Sequence, residues 1–154
     1  MTKTFLSGTL IVLLMFSFVK GECKQLNLTH STNFVVYPSD CNHMNTLFGG
    51  KILAEMDRTC GITVRRLLYS SKCDLAVTAG IESVKFLKPA HVGDLVFTKT
   101  KVVKLGKKSI TVQVEVVKEQ KDGEVKLAEG IFTFVSYDVV KKEAVEHGLT
   151  LCEK

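Results

Sequence analysis

The sequence predicts an α+β domain in which a curved antiparallel sheet of about five strands wraps one long central helix. Three observations carry that reading. From Phe48 to Tyr69 the apolar residues Leu53, Met56, Cys60, Val64 and Leu67 or Leu68 recur at helical spacing. Ile110, Val112, Val114 and Val116 alternate with Thr111, Gln113 and Glu115, the period of a half-buried strand. The later strands are joined mainly by tight turns, and tight turns make antiparallel neighbours.

The elements follow in order. Asn33–Tyr37 reads as a short strand that Pro38-Ser-Asp40 ends as a turn. In the helix that follows, Lys51, Glu55, Arg58 and Arg65 lie elsewhere around the wheel, on its polar side. Leu75 to Phe86 is a β-branched stretch broken at Gly80, and Lys88–Asp94 is a turn holding both proline and glycine. Leu95 to Leu105 is the next strand, Gly106-Lys-Lys108 its turn, and Ile110–Val116 the strand after that. Lys121-Asp-Gly-Glu124 is a hairpin turn leading into a last long strand, Val125 to Tyr137. One helix cannot cover both faces of such a sheet, so the exposed remainder or the sheet edge is expected to meet another subunit.

A chain of 154 residues has room for one core. The division expected is a hydrophobic segment, residues 1–21, and a single domain, residues 22–154. Phe5 to Val19 is almost entirely apolar but spans only about 22 Å as a helix, short of a bilayer core. With a basic start and a small residue at Gly21, it has the layout of a secretory signal or a membrane tether through residues 5–19; an upstream start codon is the plainer alternative. Export would make Asn27-Leu28-Thr29 a glycosylation acceptor. The five cysteines argue the other way, because their odd number and spacing suggest neither a disulfide scaffold nor a metal site. The net charge of +5 suits a polyanionic ligand, yet no arginine-rich block or zinc-ligand spacing supports nucleic-acid binding.

Asp57 is the odd residue of the helix. Leu53, Cys60, Gly61 and Val64 lie one or two turns away on the same side, so its carboxylate points along the apolar face. A carboxylate there is costly unless hydrogen-bonded or working, and an acid at the edge of the stripe that caps a backbone or pairs with a lysine is the bland reading. Gly49-Gly50 falls where the helix starts, where free amides favour developing negative charge; a close-packing turn is the simpler reading. Gly50 and Asp57 face the same side but lie about 10 Å apart along the axis. A catalytic pair made of these two therefore requires a second subunit.

Pro38-Ser-Asp-Cys-Asn-His-Met-Asn-Thr-Leu-Phe-Gly-Gly-Lys-Ile-Leu-Ala-Glu-Met-Asp57 resembles the signature of the hotdog-fold acyl-CoA thioesterases, the bacterial and cytosolic acyl-CoA hydrolase group. Val84-Lys-Phe-Leu-Lys-Pro-Ala-His-Val-Gly-Asp94 and Leu105-Gly-Lys-Lys-Ser109 are similar to two further family segments, and the resemblance covers about residues 32 to 138. It implies hydrolysis of fatty acyl-CoA to fatty acid and CoA by a homodimer or trimer of dimers, without cofactor. It implies that Asp57 is the catalytic carboxylate and that the Gly49 and Gly50 amides hold the thioester oxygen. Asn42 would help position water or thioester from the opposite subunit, and Lys107, Lys108 and Ser109 would meet the nucleotide phosphates; a solvated hairpin is the plain reading of those three. Cys41 replaces a usual Thr, and Asn45 stands where the family commonly has Gly. His43 matches a frequent family His and reads as structural. The scattered histidines imply no metal. The family is intracellular in habit, whereas residues 1–21 favour export, so location stays open. An inactive lipid- or thioester-binding protein on the same fold is the alternative function.

Overall fold

A computed structural model describes residues 23–24, 28–69, 71, 73 and 75–151. The hydrophobic segment, the Asn27 acceptor and Cys152 lie outside the described residues. Among the described residues no helix is long and apolar enough to cross a membrane.

The elements run β1 (Cys23–Lys24), β2 (Thr29–Val35), a 3-10 turn (Pro38–Asp40), α1 (Gly49–Leu68), β3 (Ala76–Phe86), β4 (Leu95–Leu105), β5 (Ser109–Gln120), β6 (Gly123–Asp138), β7 (Glu143–Ala144) and β8 (Thr150–Leu151). The main sheet is antiparallel with order β2-β4-β5-β6-β3, and β7 adds to the end of β6. This is the hotdog arrangement that the sequence predicts, with one strand more because of β7. A short parallel pair, β1 with β8, stands outside it.

Alternation builds the inner layer. Val96, Thr98 and Thr100 of β4, Ile110, Val112, Val114 and Val116 of β5, and Phe132 and Phe134 of β6 are buried against α1. From α1 they receive Met56, Cys60, Val64 and Leu67. Each such side chain contributes about 1.5–3 kcal/mol of burial, so the helix is held by its packing rather than by its propensity. The buried arc is wider than the sequence indicates. Glu55 is 4% exposed, not on the polar side, and the residues one turn either side of it face β2: Lys51 lies over the Phe34 ring and Thr59 is bonded to Thr32. The Glu55 carboxylate is neutralised by Lys51 at 3.3 Å and by Arg58.

The β2–β4 flank is joined by hydroxyls. Thr59 meets Thr32 at 2.7 Å, Thr63 meets Thr100 at 2.6 Å, and Thr100 donates to the His30 carbonyl at 3.0 Å. The opposite flank is open. Among the described residues β3 is a sheet edge, bonded to β6 alone, and Val77 and Ile81 stand exposed on it. Its register slips between Thr78 and Gly80 and again between Ile81 and Ser83, at the glycine where the sequence predicts a break.

Strand β2 begins at Thr29 and ends at Val35, earlier at both ends than the sequence reading. Pairing with β4 from Thr29↔Lys101 to Val35↔Leu95 sets its length, and Tyr37 already belongs to the cap of the 3-10 turn.

Candidate active site

The residues of the first motif fold into a compact loop before α1. Asn42 is its organiser: its side-chain oxygen accepts from the Met44 amide at 2.9 Å, the Thr46 amide at 3.2 Å and the Thr46 hydroxyl at 3.1 Å. Two amide donors on one atom identify that atom as oxygen. Asn45 has φ 56°, in the left-handed region. A glycine is at ease there and asparagine is the next most tolerant residue, so the exchange is conformationally matched.

The second motif supports the first. Leu47 donates its amide to the Ala90 carbonyl at 2.8 Å, and Thr46 bridges His91. Asp94 closes this turn, taking the His91 amide and the Lys118 ammonium, each at 2.9 Å. Although burial pushes the other way, the His91 amide and Lys118 hold the Asp94 carboxyl below its ordinary value. His43 is exposed on the loop rather than built into it, so its expected structural role has no packing behind it within one chain.

The loop delivers the chain into α1 at Gly49. The amides of Lys51 and Ile52 already donate to the Phe48 carbonyl, at 2.9 and 3.2 Å. Those of Gly49 and Gly50, in the first turn, have no intrahelical acceptor and point out of the helix start. The Phe48 ring lies over Gly50, where an added Cβ would come within 2.4 Å of it. Beside Gly49 a cavity of about 330 Å³ opens between Leu47, Ile52, Phe86, Leu87 and Lys88.

Asp57 is half-buried at the border of the helix's apolar arc, toward β3. It accepts the Thr78 hydroxyl at 2.8 Å, a contact that nothing in the local sequence announces because it depends on where β3 docks. The next turn holds Cys60, whose thiol is pushed up to about 12 by burial and by the Asp57 charge. Cys60 is thereby a protonated core residue and no nucleophile.

Within one chain these groups do not converge. Asn42, Gly49 and Gly50 gather at one end of α1. Lys107, Lys108 and Ser109 occupy the β4–β5 hairpin at the opposite end of the sheet, where the His147 amide donates to the Lys107 carbonyl at 3.3 Å. Lys107 and Lys108 are exposed, and the Lys108 ammonium donates to the Ala144 carbonyl at 2.8 Å. Asp57 lies between the two ends, on the side of the open edge.

A helix-wrapped antiparallel sheet with a half-buried carboxylate on the helix and free amides at its start is the architecture expected of the hotdog class. The chain belongs to the thioesterase superfamily, whose family model matches residues 44–124. It is 37% identical over 118 residues to an uncharacterised acyl-CoA thioester hydrolase of Bacillus subtilis, covering 75% of this chain and 65% of that one. It thus spans about two thirds of the length of the first curated relatives it matches. An acyl-CoA hydrolase from Staphylococcus aureus, solved with butyryl-CoA and CoA, superposes with a TM-score of 0.71 at 28% identity, over 86% of this chain and 77% of that one. A hexameric thioesterase from Yersinia pestis gives a TM-score of 0.66 at 27% identity, over 75% and 93%.

Proposed function

We propose that this chain is an acyl-CoA thioester hydrolase whose active site is completed between two subunits. The observation that carries the proposal is the separation along α1. Gly49 and Asp57 are eight residues apart, about 12 Å along the axis, and the Gly49 amide points away from Asp57. A second copy running antiparallel along the open β3 edge brings the start of its helix to Asp57 of the first. The same arrangement covers Val77 and Ile81, and it brings the Lys107–Ser109 hairpin of one chain to the Asn42 loop of the other. Relatives named as acyl-CoA hydrolases, and hexameric neighbours among the solved structures, support this reading.

The chemistry follows from the groups. Asp57, held by Thr78, accepts a proton from water as the water oxygen attacks the thioester carbonyl carbon. The carbonyl oxygen becomes an oxyanion between the Gly49 and Gly50 amides of the second subunit, with the Asn42 NH2 as a further donor. Collapse of that intermediate breaks the carbon–sulfur bond. The CoA thiolate leaves with the proton that Asp57 holds, and the acyl group leaves as the acid. Lys107, Lys108 and Ser109 offer two ammonium groups and a hydroxyl to the nucleotide phosphates.

Release of free CoA thiol from a panel of acyl-CoAs tests this, with the full chain beside its Asp57→Ala variant. Hydrolysis should fall by about 10²–10⁴-fold with the assembly intact. Unchanged turnover in the variant would refute the role of Asp57. No release of any chain length by folded, oligomeric wild type would favour a binding protein instead.

A further inference from the structure

The two ends of the domain meet. β1 and β8 pair in parallel, with Cys23 opposite Thr150 and Lys24 opposite Leu151, in a two-stranded sheet separate from the main one. A parallel ladder of two residue pairs contributes little by itself. The folded domain sets up the meeting. Leu28 accepts the Val102 amide of β4 on its carbonyl at 3.2 Å, and the His147 amide donates to the Lys107 carbonyl, in the turn after β4, at 3.3 Å. The Leu149 amide donates to the buried His147 ring at 3.1 Å, and Leu28 and Leu149 both pack against the core. Both ends are thus anchored near the close of β4, Leu28 five residues after Cys23 and Leu149 three before Cys152.

That pairing puts two cysteines within reach of each other. Cys152 directly follows Leu151, the last residue of β8. A regular continuation of β8 would put it on the face that Thr150 and Cys23 share, with its Cα about 8 Å from that of Cys23, given strands about 4.8 Å apart and a rise of about 3.3 Å per residue. A disulfide spans about 4.4–6.8 Å between Cα atoms, so a bend of about 2 Å toward β1 after the last paired residue closes it. The other three cysteines are free, and each is held elsewhere. Cys60 is fully buried in the core. The Cys41 thiol donates to the Tyr37 carbonyl at 3.6 Å, and the Cys73 thiol to the Leu75 carbonyl at 3.2 Å. One pair and three free thiols account for the odd count of five.

We propose that Cys23 and Cys152 form a disulfide that locks the two ends of the domain together. Two S–H bonds break and one S–S bond forms. The two electrons and two protons pass to a second disulfide, that of an oxidoreductase or of oxidised glutathione, which is reduced to two thiols. Such bonds form and persist in oxidising compartments, which is where the export layout of residues 1–21 would take the chain. The bond would close a loop of nearly the whole domain, the case in which a cross-link restricts the unfolded chain most. It is independent of the hydrolase reading, since neither cysteine is among the site groups.

Peptide mapping tests this directly. The full chain is equilibrated with oxidised and reduced glutathione, its free thiols are alkylated in denaturant, and it is digested with trypsin without reduction. The peptides 21–24 and 143–154 should appear as one joined species that dithiothreitol separates, with Cys41, Cys60 and Cys73 alkylated. In oxidant, Cys23→Ser and Cys152→Ser should each melt about 10 °C below wild type, and the double variant no lower than either. In dithiothreitol all four proteins should melt together. Alkylation of both cysteines even in fully oxidised glutathione would overturn the proposal. So would a bond from either one to Cys41, Cys60, Cys73 or a second chain, or single variants that melt with wild type in oxidant. The map of the wild-type chain decides the matter even if a variant fails to fold.

Discussion

The proposed division of the active site between two chains is open to a decisive complementation experiment. Asp57→Asn removes the base while keeping an oxygen for the Thr78 hydroxyl at 2.8 Å. Asn42→Asp keeps the acceptor for Met44 and Thr46, and so the loop, but removes the NH2 donor. Each variant alone should be folded and nearly inactive. The geometry fixes what their mixture does. An attacking water and its carbonyl are in contact at about 3–3.5 Å, and each catalytic group must lie about 3 Å from its target. The Gly49 amide and Asp57 of one chain are about 12 Å apart on the axis, and the amide directs its oxyanion further away still. A dimer with one chain of each kind then has one site carrying both lesions and one site carrying neither. Random pairing makes half of the dimers mixed, so co-expression should restore about a quarter of wild-type activity from two inactive parents. Release of CoA thiol from a purified co-expressed mixture reads this directly. Activity no greater than the sum of the parents would mean that one chain builds the whole site, and the argument from helix geometry would fall.

Two further outcomes follow from the supports of the site. At φ 56° Asn45→Gly should leave stability unchanged or raise it, whereas Asn45→Ala should cost about 1 kcal/mol, measured by urea denaturation; equal stability of the two would contradict the left-handed assignment. Asp94 is held below its ordinary value in the folded state, so its stabilisation is complete at neutral pH and is lost as pH falls through the ordinary and then the folded value. Asp94→Asn should therefore cost about 1 kcal/mol at pH 7 and progressively less as pH falls below the ordinary carboxylate value, an effect that pH-resolved unfolding curves would show or deny.

Much of this architecture is legible in the residues because local period and burial agree. The spacing Met56, Cys60, Val64, Leu67 gives α1, the alternation from Ile110 to Val116 gives β5, and Gly80 marks the irregular pairing of β3. The approximate reach of α1 also follows from spacing, and with it the argument that Gly50 and Asp57 of one chain cannot meet. What stays illegible depends on which strand docks where. Glu55 reads as a solvent residue until β2 is placed against its helical neighbours Lys51 and Thr59. Thr78 acquires its meaning only when β3 brings it to Asp57. The true start of β2 at Thr29 is masked by a polar stretch whose pairing comes from β4, and His43 shares a motif with Asn42 while standing clear of the loop's hydrogen bonds.

The order of strands also governs when the folded domain can come into being. β3 follows α1 directly, yet among the described residues its sole partner in the sheet is β6, with Ala76 opposite Ser136 and Phe86 opposite Ala128. During synthesis, then, the helix and the apolar strand beside it emerge long before the strand that seats them. The edge on which a second chain would dock is laid down only once β6 has been made. A nascent or truncated chain accordingly has no finished surface with which to capture a completed one. The topology would postpone any pairing of two chains along this edge until β6 is in place.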